Sequence, residues 1–165
     1  MKPVTQTTLP INQIEIRLLS KGDTKAFVDL LHIFKDAFEM NDRAIPGEEY
    51  LNTLLSKKDF LVFAALQNNT VVAGLTIYVQ LQYFSTQPVA FIYDIAVEKS
   101  YQGNGTGSRL LETVLEFCRA NGFDEAFVEA DATDIDAVSF YRKTKYTSVV
   151  NTLQFTYSIN EIIPG

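Results

Sequence analysis

The sequence predicts one α/β domain, a mixed sheet with helices on its faces, spanning residues 1–165. Three observations predict it. Short stretches with period-two or continuous apolar character read as strands, and others with apolar residues every three or four positions read as helices. The two kinds interleave along the chain without an internal repeat or linker. Finally, 165 residues with 47% apolar and 21% charged content suffice for one real core and argue against disorder.

Residues 1–12 read as a loose lead-in. Ile14-Glu15-Ile16-Arg17-Leu18 alternates and forms a first strand. Gly22-Asp23-Thr24 offers an N-cap, after which Phe27, Leu30, Leu31, Phe34 and Phe38 recur at helical spacing. A second helix spans Glu48 to Leu55, led in by Pro46-Gly47. Phe60 to Leu66 is a buried-type strand, Asn68-Asn69 a turn, and Val71 to Tyr83 a long returning strand with Gly74 as a bulge. Pro88 separates it from a strand over Val89 to Val97. Leu110, Leu111, Val114, Leu115 and Cys118 make one apolar helical face, stopped by Asn121-Gly122. Glu125 to Glu129 is a strand, Asp134 to Lys143 a helix, and Tyr146 to Val150 and Leu153 to Ile159 are terminal strands.

Composition narrows the function classes. No stretch approaches ~20 uninterrupted apolar residues, so a membrane span is not expected. The polar start lacks the apolar core of a secretory signal, and Cys118 is the only cysteine, so the expected location is the cytoplasm. The net charge of −6 argues against a nucleic-acid surface and suits a cationic small molecule or basic peptide. No metal-ligand spacing occurs. His32 stands alone, and Cys118 belongs to a helical core face.

Between the Val89–Val97 strand and the following helix lies Gln102-Gly103-Asn104-Gly105-Thr106-Gly107-Ser108. Three glycines in five residues allow close backbone approach, and the helix directs its first unpaired N–H groups into the loop. That makes an anion site, with a pyrophosphate as natural occupant. A dinucleotide fold is a poor match, although Asp124 lies about 20 residues past the first glycine. Five residues, Glu98 to Gln102, separate strand from glycines, and the spacing is G-x-G-x-G. A P-loop fails because no Gly-Lys-Ser/Thr closes the motif.

Gln102, Gly105 and Gly107 match the Q/R-x-x-G-x-G/A loop of the GNAT superfamily of acetyl-CoA-dependent N-acetyltransferases. The resemblance extends through Tyr93-Asp94-Ile95-Ala96-Val97 before the loop and Ala137-Val138-Ser139-Phe140-Tyr141 after it, covering roughly Val89 to Tyr146. Within that superfamily the chain is most similar to the aminoglycoside 3-N-acetyltransferases. The runs Phe91 to Val97, Glu129-Ala130-Asp131, Asp134 to Tyr141 and Tyr50-Leu51 to Phe60 carry this closer likeness. Many superfamily members have Asn seven positions before the tyrosine, where this chain has Asp134. Lys145 stands where the superfamily usually places Gly.

The resemblance implies a mostly antiparallel sheet with helices on both faces, and acetyl-CoA as cofactor. It implies that Gln102, Gly103, Asn104, Gly105, Thr106, Gly107 and Ser108 hold the diphosphate. Ile95, Ala96 and Val97 would pair with the pantetheine arm and supply an N–H toward the thioester carbonyl, a donor worth ~10²–10³ in rate. Tyr141 would be the general acid near the cofactor sulfur, with a packing role as its alternative.

Asp94 lies mid-strand in an apolar run, where a carboxylate is costly unless paired or functional. With Tyr93 it is expected to orient the acceptor amine and take its proton. Glu129, Asp131, Asp134 and Asp136 put four acids within eight residues, suiting a polycation, although Asp134 equally suits a helix cap. Glu48, Glu49 and Tyr50 are weaker acceptor-site candidates.

The leading reading is therefore acetylation of an aminoglycoside 3-amino group. Alternatives are a polyamine, small-amine or peptide-amine acceptor, or a non-catalytic acyl-CoA-binding domain. The long strands offer pairing surfaces, and the family resemblance allows a homodimer.

Overall fold

The structure, a computed structural model, describes residues 14–159, so the lead-in over residues 1–12 lies outside the described residues. Two compact units divide after Glu129. The first holds a five-stranded sheet in the order β1 (Glu15–Leu18), β2 (Phe60–Gln67), β3 (Thr70–Gln80), β4 (Val89–Val97) and β5 (Glu125–Val128). β1 to β4 are antiparallel neighbours, and β5 runs parallel to β4. A parallel neighbour needs a crossover, and α3 (Thr106–Ala120) supplies it. Helices α1 (Thr24–Ala37) and α2 (Glu48–Leu55) precede β2.

Alternation along β2 assigns the faces. Phe60, Val62, Ala64 and Leu66 join Phe27, Leu30 and Phe34 of α1 and Leu51 and Leu55 of α2 in one buried cluster. Phe63 points the other way and meets Phe117 of α3, ring centroids 5.1 Å apart. Leu110, Leu111, Val114 and Cys118 complete that second layer. The β2–β3 turn falls at Asn68 and Asn69, with φ 50° and 63°, as the asparagine pair predicts.

Several expectations need correction. Gly74 is not a bulge; it pairs regularly with Ala64 and Ala96. The irregularities fall between Ala65 and Leu66 and at Tyr93. Glycine is required at position 74 by close approach: an added Cβ would lie 2.5 Å from Leu30 Cδ2 and 2.6 Å from the Phe63 carbonyl oxygen. A backbone oxygen cannot swing aside, so Gly74→Ala is expected to cost about 1–3 kcal/mol. Thermal unfolding followed by circular dichroism would read this as a lower melting temperature; an unchanged value would contradict the close packing.

Asp23 stands at the N-cap of α1 but its carboxylate makes no capping bond. It accepts instead from Ser20 N (2.8 Å), Ser20 Oγ (3.0 Å) and Arg17 (2.9 Å).

The second unit contains α4 (Ile135–Arg142), flanked by the caps Asp134 and Lys143. The terminal strands expected over Tyr146 to Val150 and Leu153 to Ile159 are absent from the described residues. Leu153, Phe155, Tyr157 and Ile159 do alternate, but all four are exposed. Alternation says which side of a strand would be apolar; a strand also needs a neighbouring edge to complete its ladder.

Candidate active site

The site in the first unit is built around an interrupted β4. Its pairing with β5 runs from Val89–Glu125 to Ile92–Val128 and stops. Asp94 to Val97 pair with β3 alone, opposite Thr76, Leu75, Gly74 and Ala73, and the other edge of this stretch has no strand partner among the described residues. At the point of divergence β4 carries one extra residue. Ile92 pairs with Ile77 and Asp94 with Thr76, leaving Tyr93 as the bulge.

In a regular strand neighbouring side chains point to opposite faces. The bulge changes that. Asp94, opposite Thr76, and Phe91, opposite Tyr78, share one face. Tyr93 lies on it too, its ring 5.3 Å from Tyr78 and 5.6 Å from Phe91. Asp94 forms no ion pair with any described residue, and burial raises its carboxyl above the ordinary value. Tyr78 is raised too, first by burial and then by Tyr93, Asp94 and Tyr50 around it.

Beyond Val97 a 3₁₀ turn over Lys99–Tyr101 accounts for the residues between strand and glycines. Glu98 caps it, accepting from Ser100 N (3.2 Å) and from the Ser100 hydroxyl. Gln102 Nε2 donates to the Val97 carbonyl (2.9 Å), tying the loop to the strand end. Gly103 (φ 73°) and Gly105 (φ 80°) turn the chain through left-handed conformations that side chains disfavour. Gly105 is the N-cap of α3, and no side chain caps that end. The first helical bond is Arg109 N to Gly105 O, 3.0 Å, so the N–H groups of Thr106, Gly107 and Ser108 have no carbonyl one turn back. With the helix dipole behind them they suit an anion.

A model of the acetyltransferase (GNAT) family matches residues 27–146. The chain belongs to this family. Two crystal structures of an aminoglycoside acetyltransferase from an uncultured soil metagenomic sample are each 40% identical to it. One, in complex with trehalose, has a TM-score of 0.88 and covers 90% of this chain and 98% of that one. The other, in complex with sisomicin, gives 0.87, 90% and 97%. An aminoglycoside N-acetyltransferase in complex with coenzyme A is 12% identical, with a TM-score of 0.70 over 87% of this chain and 94% of that one; this likeness shows the fold alone. No curated protein matches the chain by sequence.

Within this acetyltransferase the remaining sequence candidates sort by what holds them. Glu129 is exposed at the end of β5. In the second unit Asp131 Oδ1 accepts from Thr133 N (2.8 Å) and Thr133 Oγ1 (2.7 Å), which hold its carboxyl below the ordinary value. Asp134 Oδ1 accepts from Ala137 N (2.9 Å), the N-cap bond of α4. Asp136 is exposed in the first turn. Tyr141, in the last turn, packs its ring on Phe140 with centroids 5.0 Å apart. Because Asp134 is engaged as a cap, Asp134→Ala is expected to cost about 1 kcal/mol of stability. A rise in its acceptor KM with unchanged melting would show a role in binding beside the cap.

Sequence reasoning missed Tyr78 and Thr76. Counting by twos from Gly74 places both on the α1 side of β3. Their juxtaposition with Asp94 depends on the Tyr93 bulge, which no residue type announces. His32 is exposed on α1, and Cys118 is buried in α3, where burial raises its thiol.

Proposed function

We propose that this acetyltransferase transfers an acetyl group from acetyl-CoA to a primary amine of an aminoglycoside, at the 3-amino position. The observation that carries the reading is Asp94: a partly buried carboxylate with no cation partner among the described residues, beside the open stretch of β4 that leads into an uncapped, glycine-turned helix start. The 40% identical enzyme solved with sisomicin supports the acceptor class.

The residues fit coenzyme A. The N–H groups of Thr106, Gly107 and Ser108, in the loop Gln102 to Ser108, would hold its diphosphate. The unpaired edge of Ile95, Ala96 and Val97 offers extended backbone to its pantetheine arm. When bound, acetyl-CoA supplies the activated acetyl thioester. Asp94 orients the acceptor ammonium and takes the proton it loses, and its raised pKa makes it a better proton acceptor than an exposed carboxylate. Tyr141 holds a proton at Oη for donation. Tyr93 and Glu129 contribute to the acceptor site; in the second unit Asp131 and Asp134 hold their turn and helix cap.

Thiol release from acetyl-CoA, measured side by side with aminoglycosides, polyamines and peptide amines, tests the reading. Turnover with aminoglycosides, and a product acetylated at the 3-amino group by NMR, is the expected result. Turnover only with polyamines or peptides would change the acceptor. Tight coenzyme binding without turnover would make the chain an acyl-CoA-binding module.

A further inference from the structure

An aromatic belt crosses the sheet on the face that carries Asp94. Phe60, Tyr78, Phe91 and Phe127 stand opposite one another in register on β2, β3, β4 and β5. Phe60 and Tyr78 lie 5.2 Å apart, and Phe91 and Phe127 stack at 4.8 Å and 8°. Tyr93, extruded by the bulge, bridges Tyr78 and Phe91 with its ring at 88° and 84° to theirs.

Packing accounts for the buried end of the belt, where Phe60 also meets Phe27 of α1. It does not account for the half-exposed tyrosines within and beside the belt. Tyr78 is 44% exposed, Tyr93 55%, and Tyr50 of α2, within electrostatic reach of Tyr78, 56%. Three half-exposed phenols, two of them on the face of Asp94, therefore accompany a carboxylate with no cation partner among the described residues. The charge calls for an ammonium group. Perpendicular aromatic rings add a surface for the C–H face of a saturated ring and for a cation, and phenol hydroxyls can pair with neighbouring hydroxyls. A linear polyamine would satisfy the carboxylate but leave the rings and phenols largely unused.

We propose that Tyr78 and Tyr93, flanked by Tyr50, form a platform that seats the amino-bearing ring of the acceptor beside Asp94, and that this platform selects ring-borne amines over linear ones. The inference rests on the aminoglycoside reading above and adds the residues that read ring shape. Asp94 reads charge.

The test uses the full chain with sisomicin as acceptor. Tyr93→Ala and Tyr50→Ala are the main variants because both residues are exposed, and circular dichroism confirms that each is folded. Tyr93→Ala is expected to raise the acceptor KM about 5–20-fold, with kcat and the acetyl-CoA KM within about threefold of wild type. Tyr93→Phe keeps the ring and should recover most of the loss. Calorimetric titration of sisomicin should show the same order of affinities. If wild type turns over sisomicin and both alanine variants keep its KM, the platform is wrong while the proposed function stands. If wild type neither binds nor turns over sisomicin, the acceptor reading fails and the platform with it.

Discussion

Asp94→Asn is expected to lower kcat by about 10²–10⁴-fold and, at neutral pH, to raise the melting temperature. Both effects follow from the same burial. β4 places the carboxylate opposite the buried Thr76, and no cation among the described residues compensates it. Desolvation disfavours the charged form, so the folded-state pKa lies above the unfolded one. A carboxyl raised in this way contributes stability while protonated, below its unfolded pKa. It loses that contribution as pH rises through the folded value. Asparagine has no charge to desolvate, so the variant gains on wild type at neutral pH and the gain disappears in acid. Each kcal/mol corresponds to about 2–4 °C in a domain of this size.

Melting curves from pH 3 to 8 measure this difference. The rate profile supplies the functional half. In wild type the acid limb of kcat/KM should lie above that of an exposed carboxylate, and in the variant it should vanish. Full activity in the variant would remove Asp94 from proton transfer. A variant less stable than wild type across the whole range would show an unrecognised partner for the carboxylate.

What the sequence made legible, and what it did not, divides along physical lines. Local chemistry was legible. Pro46-Gly47 before an apolar period brought α2 to Glu48–Leu55, and Pro88 with a run of β formers brought β4 to Val89–Val97. The glycines at 103 and 105 do adopt left-handed φ. Asp94 stood out because a carboxylate in an apolar strand needs a reason to be there. Properties of pairing were not legible. The Tyr93 bulge arises from register between β3 and β4, and it decides which side chains share a face with Asp94. Gly74 looked like a bulge because glycine in a strand has two common causes, and its regular pairing together with the close approach of Leu30 and the Phe63 carbonyl distinguishes them. Asp134 could cap or bind, and a hydrogen bond to Ala137 N shows the cap. Leu153 to Ile159 alternates as a strand does, but no neighbouring edge could be read from composition.

Tyr141→Phe is the complementary expectation, a loss of turnover without a loss of fold. The substitution removes one oxygen. The ring contact with Phe140 survives, and so do the bonds from Thr144 N (2.9 Å) and Thr144 Oγ1 (2.6 Å) to the Tyr141 carbonyl. α4 keeps its Asp134 cap. Stability should therefore change by no more than about 1.5 kcal/mol, the net worth of one hydroxyl hydrogen bond. A proton donor lost from the reacting group lowers kcat by about 10²–10⁴-fold. The glycine loop and the edge of β4 remain, so the Kd for acetyl-CoA should not move. The three readouts separate the roles. A fall in kcat with constant coenzyme affinity and constant melting temperature supports proton donation at Oη. A fall in melting temperature in step with activity makes Tyr141 a packing residue. Unchanged turnover excludes its hydroxyl from the reaction and leaves proton handling, among the residues proposed here, to Asp94.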